Sequence, residues 1–312
     1  MTQHSESLPR SPSPVAFLDE AAVRKILRYE ELIPAMEHAL ADFSTGKVVQ
    51  PVRTILPAEE YAGFFGIMPA VYGDVMGAKL VTLYPRNAGT ALPTHQGIIV
   101  LLRATTGEPV AVLDGRLITE MRTAAVTAVA TKHLSDAKAS TLAILGSGVQ
   151  ARAHFAALQV VRNFQKVRVW SRNPAHAAGF AAEIGATATT AEEAVRGADV
   201  VVTVTNASEP ILRGNWLKSG ALINAVGAVG ATRRELDDEA MRAAVVVVDS
   251  REAAGVESGD ILLAGAAVAA ELGEILAGKV AKPAPARIVF KSLGLAVEDL
   301  AAASLVLQSR TD

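Results

Sequence analysis

A glycine-rich turn at residues 146–151 has the spacing of a dinucleotide-binding site. Apolar, strand-like residues 142–145 precede it, and residues 152–161 continue with helical spacing. The turn itself reads Gly146-Ser147-Gly148-Val149-Gln150-Ala151. In such a unit the first glycine permits a tight turn, the second lets backbone N–H groups approach a pyrophosphate, and the small third residue keeps the helix against its strand. The order of strand, turn and helix therefore predicts a dinucleotide site.

The next apolar strand, residues 167–170, is followed by Ser171-Arg172-Asn173. A site that prefers NAD usually places an acidic residue here to bind the ribose 2′-hydroxyl. A guanidinium group with small polar neighbours instead accepts a 2′-phosphate, and no carboxylate is present to repel it. We therefore expect NADPH to be preferred, with NADH used more weakly. A solvated arginine at the start of a helix is the alternative interpretation of Arg172.

Three cations could bind an anionic substrate: Arg53, Lys79 and Arg122. Lys79 interrupts an apolar strand over residues 77–83, so its ammonium group must reach water or face a partner. If this strand is at the edge of a sheet, the ammonium group of Lys79 can reach water. Arg122 and Thr123 are expected to open an alanine-rich helix, where donors can meet an anion. An arginine on the helix surface is the ordinary alternative.

Metal and thiol chemistry have no support in the sequence. The six histidines show no paired ligand spacing, so we expect no metal site. His95, just before a strand, is interpreted as a structural hydrogen-bonding residue. The chain has no cysteine, which excludes disulfides, thiol catalysis and thiolate ligands. That composition is compatible with a reducing compartment, and we expect a cytoplasmic protein.

The charge and the length of the chain limit the kinds of partner and the number of domains that we expect. The 312 residues carry a net charge of −2, with both signs spread along the chain, and a chain of this length can form two domains with sizeable cores. No basic face invites nucleic acid and no polybasic segment invites anionic lipid, so we expect neither partner. Residues 1–14 are polar and rich in Ser and Pro, which predicts a disordered tail rather than a signal peptide or a membrane anchor.

The spacing of the apolar residues changes twice along the chain. A helical stripe at residues 30–43, which Gly46 would end, precedes short β-rich runs between residues 52 and 113. After a helical segment at residues 119–134, strands alternate with helices. The predicted fold is α/β, with a Rossmann doubly wound parallel sheet and an additional α+β domain. The predicted bounds are 15–120, with 296–312 returning, for the α+β domain and 121–295 for the NAD(P)-binding domain.

Several ordered segments carry a resemblance to a known family. Those in the first two thirds of the chain are Pro93-Thr94-His95-Gln96, Asp114-Gly115, Met121-Arg122-Thr123-Ala124-Ala125-Val126, residues 145–151 and Thr203-Val204-Thr205-Asn206. The denser C-terminal ones are residues 224–228, 234–239, 248–254, 257–260 and Phe290-Lys291-Ser292-Leu293-Gly294. With them the chain resembles the ornithine cyclodeaminase/mu-crystallin family, and within it the mu-crystallin (ketimine reductase) branch, over nearly everything after the polar tail.

This resemblance implies a homodimer that pairs through the first domain, and a cleft between the domains for a small carboxylate substrate. The family's carboxylate-binding residues map onto Arg53, Lys79 and Arg122. In the reductase branch the two arginines would hold the carboxylate of a cyclic ketimine, or of an imine formed from a 2-oxo acid. Lys79 would lie near the imine as a hydrogen-bond donor or proton source. The cofactor contacts that we expect are Arg122, Thr123, Gly146, Gly148, Val149, Gln150, Ser171, Arg172, Asn173, Thr205, Val226, Gly227 and Ser292.

One departure from the family pattern separates its branches. The resemblance implies that cyclodeaminases and the related alanine dehydrogenases carry a catalytic aspartate shortly after the segment at residues 224–227, where this chain has Val229. Oxidation of an amine calls for a general base, whereas reduction of a protonated imine demands less of the enzyme. We therefore expect NADPH-dependent reduction of Δ1-pyrroline-2-carboxylate to L-proline, with Δ1-piperideine-2-carboxylate, the precursor of L-pipecolate, as a larger analogue.

Two alternatives stay open. The first is NAD-dependent ornithine cyclodeaminase or alanine dehydrogenase chemistry, with Glu59, Glu60 or Asp114 in place of the missing aspartate. The second is a non-enzymatic protein that binds a small ligand in an NADPH-dependent way. The presence of all three cations favours turnover.

Overall fold

A computed structural model describes residues 14–284 and 286–309, which form two β-sheets flanked by helices. The tail predicted at residues 1–14 lies outside the described residues except for its last residue. In the described part of the chain, no helix is long and apolar enough to cross a membrane.

The first sheet is mainly antiparallel. Its strands, within the described residues, are β1 (Ala16–Leu18), β2 (Val48–Val49), β3 (Thr54–Ala58), β4 (Gly63–Tyr72), β5 (Val75–Leu83), β6 (His95–Arg103) and β7 (Pro109–Asp114). They lie in the order β1-β7-β6-β5-β4-β2, and β3 also pairs with β4. The pair β1 and β7 is parallel, and the other pairs are antiparallel. This sheet is the α+β part that the short β-rich runs predict.

The second sheet is parallel throughout. Its strands are β8 (Thr141–Leu145), β9 (Lys166–Trp170), β10 (Thr187–Ala188), β11 (Val200–Thr203), β12 (Leu222–Ala225), β13 (Val245–Val248), β14 (Val268–Glu271) and β15 (Ile288–Lys291). Their order is β10-β9-β8-β11-β12-β15-β13-β14. Residues of β11, β12 and β15 are all buried, as expected for strands covered on both faces. The predicted Rossmann doubly wound sheet is confirmed.

Helices cover both sheets. They are α1 (Glu20–Ile26), α2 (Tyr29–Ser44), α3 (Gly115–Leu134), α4 (Val149–Val161), α5 (Pro174–Ile184), α6 (Ala191–Val195), α7 (Asp238–Arg242), α8 (Arg251–Glu257), α9 (Gly259–Ala264), α10 (Leu272–Leu276) and α11 (Ala296–Gln308). Short 3₁₀ helices lie at Glu59–Tyr61, Pro85–Asn87 and Gly214–Trp216.

Helix α3 begins earlier than the sequence pattern predicts. The Asp114 carboxylate accepts a hydrogen bond from the Leu117 backbone N–H at 2.9 Å and caps the helix. Gly115 follows, where a Cβ would lie 2.9 Å from the backbone of Gly97 in β6. Arg122 is therefore two turns inside α3, and the expectation that it opens the helix is wrong.

Helix α11 connects the two halves of the molecule. It follows β15 of the second sheet after a short loop, yet it packs against α2, α3, β4 and β5. Helix α3 also packs against elements of both halves, namely α2 and β6 on one side and α4 on the other. The domain boundary predicted between residues 120 and 121 falls inside α3, and the division into domains stays a prediction.

The contact between α10 and α2 gives a test of the packing. A Cβ added at Gly273 of α10 would lie 1.9 Å from the Leu40 carbonyl oxygen of α2. Because overpacking against rigid backbone costs about 3 kcal/mol, Gly273→Ala should lower the free energy of unfolding in urea by about that amount.

Gly179 of α5 is the matched control, because a Cβ added there meets no atom within 4 Å. Gly179→Ala should leave stability unchanged or raise it by up to about 1 kcal/mol through helix propensity. Equal effects of the two substitutions would contradict the close approach of α2 and α10.

Candidate active site

A cavity of about 500 Å³ lies between the two sheets. Its wall combines side chains of β5, β6 and α3 with loops that follow the parallel strands β11, β12 and β15, as ligand sites of α/β proteins usually do. Nine of the residues singled out from the sequence meet here: Arg53, Lys79, Arg122, Thr123, Gln150, Thr205, Val226, Gly227 and Ser292.

The glycine turn has the geometry that a dinucleotide requires. Gly146 has φ +139°, and a Cβ on it would lie 2.8 Å from the Val204 carbonyl oxygen, so only glycine fits without strain. Gly148 is the N-cap of α4, and no side chain caps this helix end. Its first N–H groups are therefore available to an anion such as a pyrophosphate. Val149 is the exposed first residue of α4, and Gln150 follows it at the cavity wall.

Ser171, Arg172 and Asn173 lie beside this turn, because β9 neighbours β8 in the sheet. The Ser147 hydroxyl donates a hydrogen bond to the Ser171 oxygen at 2.9 Å. Asn173 caps α5 through its side-chain oxygen, which accepts from the Ala175 N–H at 3.0 Å. Arg172 is exposed. These three residues do not line the cavity, and neither do Gly146, Gly148 and Val149 of the glycine turn.

Lys79 and Arg122 share one buried carboxylate. The Lys79 Nζ lies 2.6 Å from Asp299 Oδ2, and the Arg122 Nε donates to Asp299 Oδ1 at 3.0 Å. A second carboxylate, Glu298, accepts from Arg122 at 2.7 Å. All four side chains are buried. Because β5 lies between β4 and β6, the edge-strand alternative for Lys79 is wrong. The surface alternative for Arg122 is also wrong, because its side chain is buried.

Arg53 is held by α8 and by the loop after β15. It donates to Glu257 at 3.0 Å and to the backbone carbonyls of residues 293 and 294 at 2.6 and 2.9 Å. The buried Asp249 carboxylate in turn accepts from the N–H groups of these two residues at 2.5 and 2.7 Å. The loop after β15 is thereby fixed, and it carries the acceptors that orient Arg53.

Gly294 in this loop lets the cations come together. It has φ +83°, and a Cβ on it would lie 2.4 Å from a terminal nitrogen of Arg122. A larger residue would displace the Arg122 guanidinium from the cavity.

Burial and like charges change the pKa values around the cavity. Burial and the neighbouring Arg122 charge lower the pKa of Lys79 to about 8, while Asp299 acts in the opposite direction. Burial, with the charges of Lys79 and Arg122, lowers the pKa of His95 to about 4, so this ring is neutral at pH 7. Among the described residues the His95 ring has no hydrogen-bond partner, so the structural hydrogen bond expected from the sequence is not found. His95 lies on the cavity wall instead.

The residues offered as replacements for the missing aspartate lie elsewhere. Glu59 and Glu60 are exposed in a 3₁₀ helix, and Asp114 caps α3 and lines a separate groove. Val229 is on the cavity wall. In the described part of the chain, the wall contains one carboxylate, that of Glu257, which is paired with Arg53. The described residues contain no cluster of metal ligands.

Comparison with known proteins places this geometry in a family. Residues 15–312 match the ornithine cyclodeaminase/mu-crystallin family. The chain belongs to this family. Among its curated relatives, ketimine reductase mu-crystallin of Mus musculus is 50% identical over 305 residues, which cover 94% of this chain and 97% of the relative.

Two solved structures of family members are similar throughout. Thermococcus litoralis Δ1-pyrroline-2-carboxylate reductase, in complex with NADH and L-proline, has a TM-score of 0.90 and 36% identity, covering 95% of this chain and 98% of that one. An archaeal alanine dehydrogenase dimer with bound NAD has a TM-score of 0.90 and 31% identity, covering 96% and 97%.

Sequence reasoning missed the carboxylates that hold the cations or the loop beside them, namely Asp249, Glu257, Glu298 and Asp299. The sequence did contain a signal for Glu298 and Asp299. They are the two charged residues of α11, whose other residues are mostly Ala, Leu and Val. Two adjacent acids in an apolar helix are seldom buried without a partner. The pair therefore indicated buried cations elsewhere in the chain.

The acidity of Glu298 gives a pH prediction. Burial raises the pKa of this carboxyl from 4.5 to about 7 in the folded protein. Between these values the folded state binds more protons than the unfolded state, so the Glu298 contribution to stability falls as pH rises. Glu298→Gln removes this titration. The free energy of unfolding of Glu298→Gln minus that of the wild type should therefore increase between about pH 5 and about pH 7.5, by an amount on the order of 2 kcal/mol.

Urea unfolding at intervals across this pH range measures the difference. Parallel pH profiles for the variant and the wild type would show that Glu298 does not change its protonation in the folded protein over this range.

Proposed function

We propose that this protein reduces the C=N bond of cyclic ketimine carboxylates with NADPH. The substrates are Δ1-pyrroline-2-carboxylate, which gives L-proline, and Δ1-piperideine-2-carboxylate, which gives L-pipecolate. The observation that carries the proposal is the meeting of Arg53, Lys79 and Arg122 on the wall of one cavity that also contains Gln150 of the dinucleotide-binding helix. The names of the similar family members support the same substrate class.

The cations match a small carboxylate substrate. Arg122 is held by two carboxylates and Arg53 by one, and their remaining donors can bind the substrate carboxylate. Lys79 lies beside Arg122 through their shared Asp299 partner, so its ammonium group can face the imine nitrogen and donate a proton or a hydrogen bond. When bound, NADPH supplies the hydride for the imine carbon.

The carboxylates at the cavity favour reduction over amine oxidation. Removal of a proton from an amine or from water needs a free base. Glu257, the carboxylate on the described part of the wall, is already paired with Arg53, and Val229 cannot take a proton. The His95 ring is neutral at pH 7, but its pKa of about 4 makes it a weak base. A protonated imine needs no such base, because hydride transfer to its carbon gives the amine directly.

We also propose that the dinucleotide site prefers NADPH to NADH. Arg172 is exposed and follows Ser171 beside the glycine turn, without an acidic residue at the end of β9. A guanidinium in this position can pair with a 2′-phosphate.

A homodimer in the cytoplasm is the proposed working form. Strand alternation puts Phe65, Leu80 and Ile98 on the face of the first sheet opposite Lys79, where they line a second groove. Ile98 is 44% exposed. A second copy of the chain would cover this apolar face, and the archaeal alanine dehydrogenase is described as a dimer.

The decisive experiment is NADPH oxidation, followed at 340 nm, with Δ1-pyrroline-2-carboxylate. Turnover of the imine is expected, and ornithine with NAD should release no ammonia. Lys79→Ala should lower kcat/KM by at least about 100-fold, because a positioned proton donor contributes that much. Binding of NADPH, measured by fluorescence titration, should not change in this variant.

Three other outcomes would contradict either the proposed reaction or the placement of Lys79. Ammonia from ornithine without reduction of either cyclic imine would establish the cyclodeaminase alternative. Tight binding of NADPH and an imine without oxidation would establish a binding protein. Loss of NADPH binding in Lys79→Ala would contradict the placement of Lys79 on the substrate side.

Arg172→Asp tests the cofactor preference. The variant loses a charge-assisted contact to the 2′-phosphate and gains a carboxylate for the ribose 2′-hydroxyl, a change of about 2–3 kcal/mol. The ratio of kcat/KM for NADPH to that for NADH should therefore fall by about 30- to 150-fold. An unchanged KM for NADPH would show that Arg172 faces solvent in the complex.

A further inference from the structure

The contact between Asp299, Lys79 and Arg122 joins three separate elements. Asp299 is in α11, Lys79 is in the middle of β5, and Arg122 is in α3. Each Asp299 carboxylate oxygen faces one cation, at 2.6 Å for the ammonium group and 3.0 Å for the guanidinium Nε. Asp299 itself is not among the residues that line the cavity. The carboxylate therefore lies behind the two cations, where it can act on substrate only through them.

We propose that Asp299 is a positioning residue of the imine reduction: it sets Lys79 and Arg122 at a fixed separation and holds Lys79 as an ammonium ion. This inference rests on the proposed function, because it assigns the charge of Lys79 a part in that reaction. Through Asp299, helix α11 would take part in the chemistry of a cavity that this helix does not line.

The charges around Lys79 show why a carboxylate is needed. Burial, the Arg122 charge from α3 and the Arg53 charge from the segment before β3 all favour loss of the Lys79 proton, in that order. His95 from β6 is neutral at pH 7 and offers no compensating charge. Asp299 is the acid in direct contact with the ammonium group. An opposite charge at this distance favours the charged form by roughly 1–3 pKa units.

The neighbouring acid does not duplicate this role. Glu298 contacts Arg122 at 2.7 Å, so Arg122 has a carboxylate partner besides Asp299. Lys79 has one ion-pair partner among the described residues, and it is Asp299. Lysine also has a long, flexible stem, so a single contact at its Nζ decides where the charge lies. Loss of the Asp299 charge should therefore affect Lys79 more than Arg122.

Asp299→Asn tests the charge at constant size. The amide oxygen can still accept from Arg122, but Lys79 loses its counter-charge. The direct readout is the pH titration of the Lys79 Cε resonance in protein labelled with [¹³C]lysine, assigned by its absence in Lys79→Met. The midpoint should move from about 8 to a value lower by at least about one unit. This measurement needs no turnover.

Glu298→Gln is the matched control. It also removes a buried carboxylate of α11, but one that contacts Arg122 and not Lys79. Its effect on the Lys79 midpoint should be less than half of that of Asp299→Asn. An unchanged midpoint in Asp299→Asn, or equal shifts in the two variants, would overturn the proposal.

The second readout is the pH profile of kcat/KM for imine reduction. The alkaline limb of Asp299→Asn should move to lower pH together with the Lys79 resonance, whereas a purely structural defect would lower kcat/KM equally at all pH values. Substrate ionisation is the same for all variants and cancels in the comparison. If no variant and no wild type reduces an imine, the proposed function fails, while the resonance still decides whether Asp299 controls the charge of Lys79.

Asp299→Glu keeps the test valid if the asparagine variant does not fold. Its carboxylate retains the charge but is displaced by one methylene group. The Lys79 midpoint should then stay near that of wild type while kcat falls at least about 10-fold, since small displacements of catalytic groups are costly. Wild-type kcat in this variant would show that the position of the carboxylate is unimportant.

Discussion

Three buried or half-buried cations around one cavity constrain the rest of this structure. Isolated charges are expensive to remove from water, so Lys79, Arg122 and Arg53 each require an acid or carbonyl partner. The chain supplies these partners from its C-terminal third, through Glu257 in α8 and the acid pair of α11. The path of the chain after β15, back onto the first sheet, is therefore required by the electrostatics of the site.

Another buried acid, Glu235, orders the loops after β11 and β12 at the same cavity. Glu235 accepts hydrogen bonds from the hydroxyl and N–H of Thr205, both at 2.7 Å, and from the Gly227 N–H at 2.8 Å. These residues belong to the loops after β11 and β12, which form one wall. A Cβ at Gly227 would lie 2.3 Å from the Thr205 backbone, so the loops are in close contact. One wall is thus fixed by hydrogen bonds to an anion and the other by ion pairs.

The sequence was sufficient for features that depend on neighbours along the chain. The glycine turn at 146–151, the parallel sheet and the three cations could be identified because strand, turn and helix patterns are local. The start of α3 was misjudged, since the cap from Asp114 and the close approach of Gly115 to β6 are tertiary features. The pairing of Lys79 with Asp299 joins residues 220 positions apart. No periodicity or motif specifies such a contact, although two acids in an apolar helix indicated that a partner existed.

The charge of the cavity wall also bears on the substrate. Four cations, Arg53, Lys79, Arg122 and Arg233, outnumber the single carboxylate on the described wall, so the surface that a ligand meets is positive. Ornithine carries two ammonium groups and one carboxylate at neutral pH, and its side-chain charge would find no free anionic partner there. A cyclic imine carboxylate has one carboxylate and at most one positive charge, delocalised on the iminium group. Desolvating the additional ammonium of ornithine beside Lys79 and Arg122 would be unfavourable. The same electrostatics that orders the cations therefore selects against the diamino acid, independently of the base that Val229 replaces.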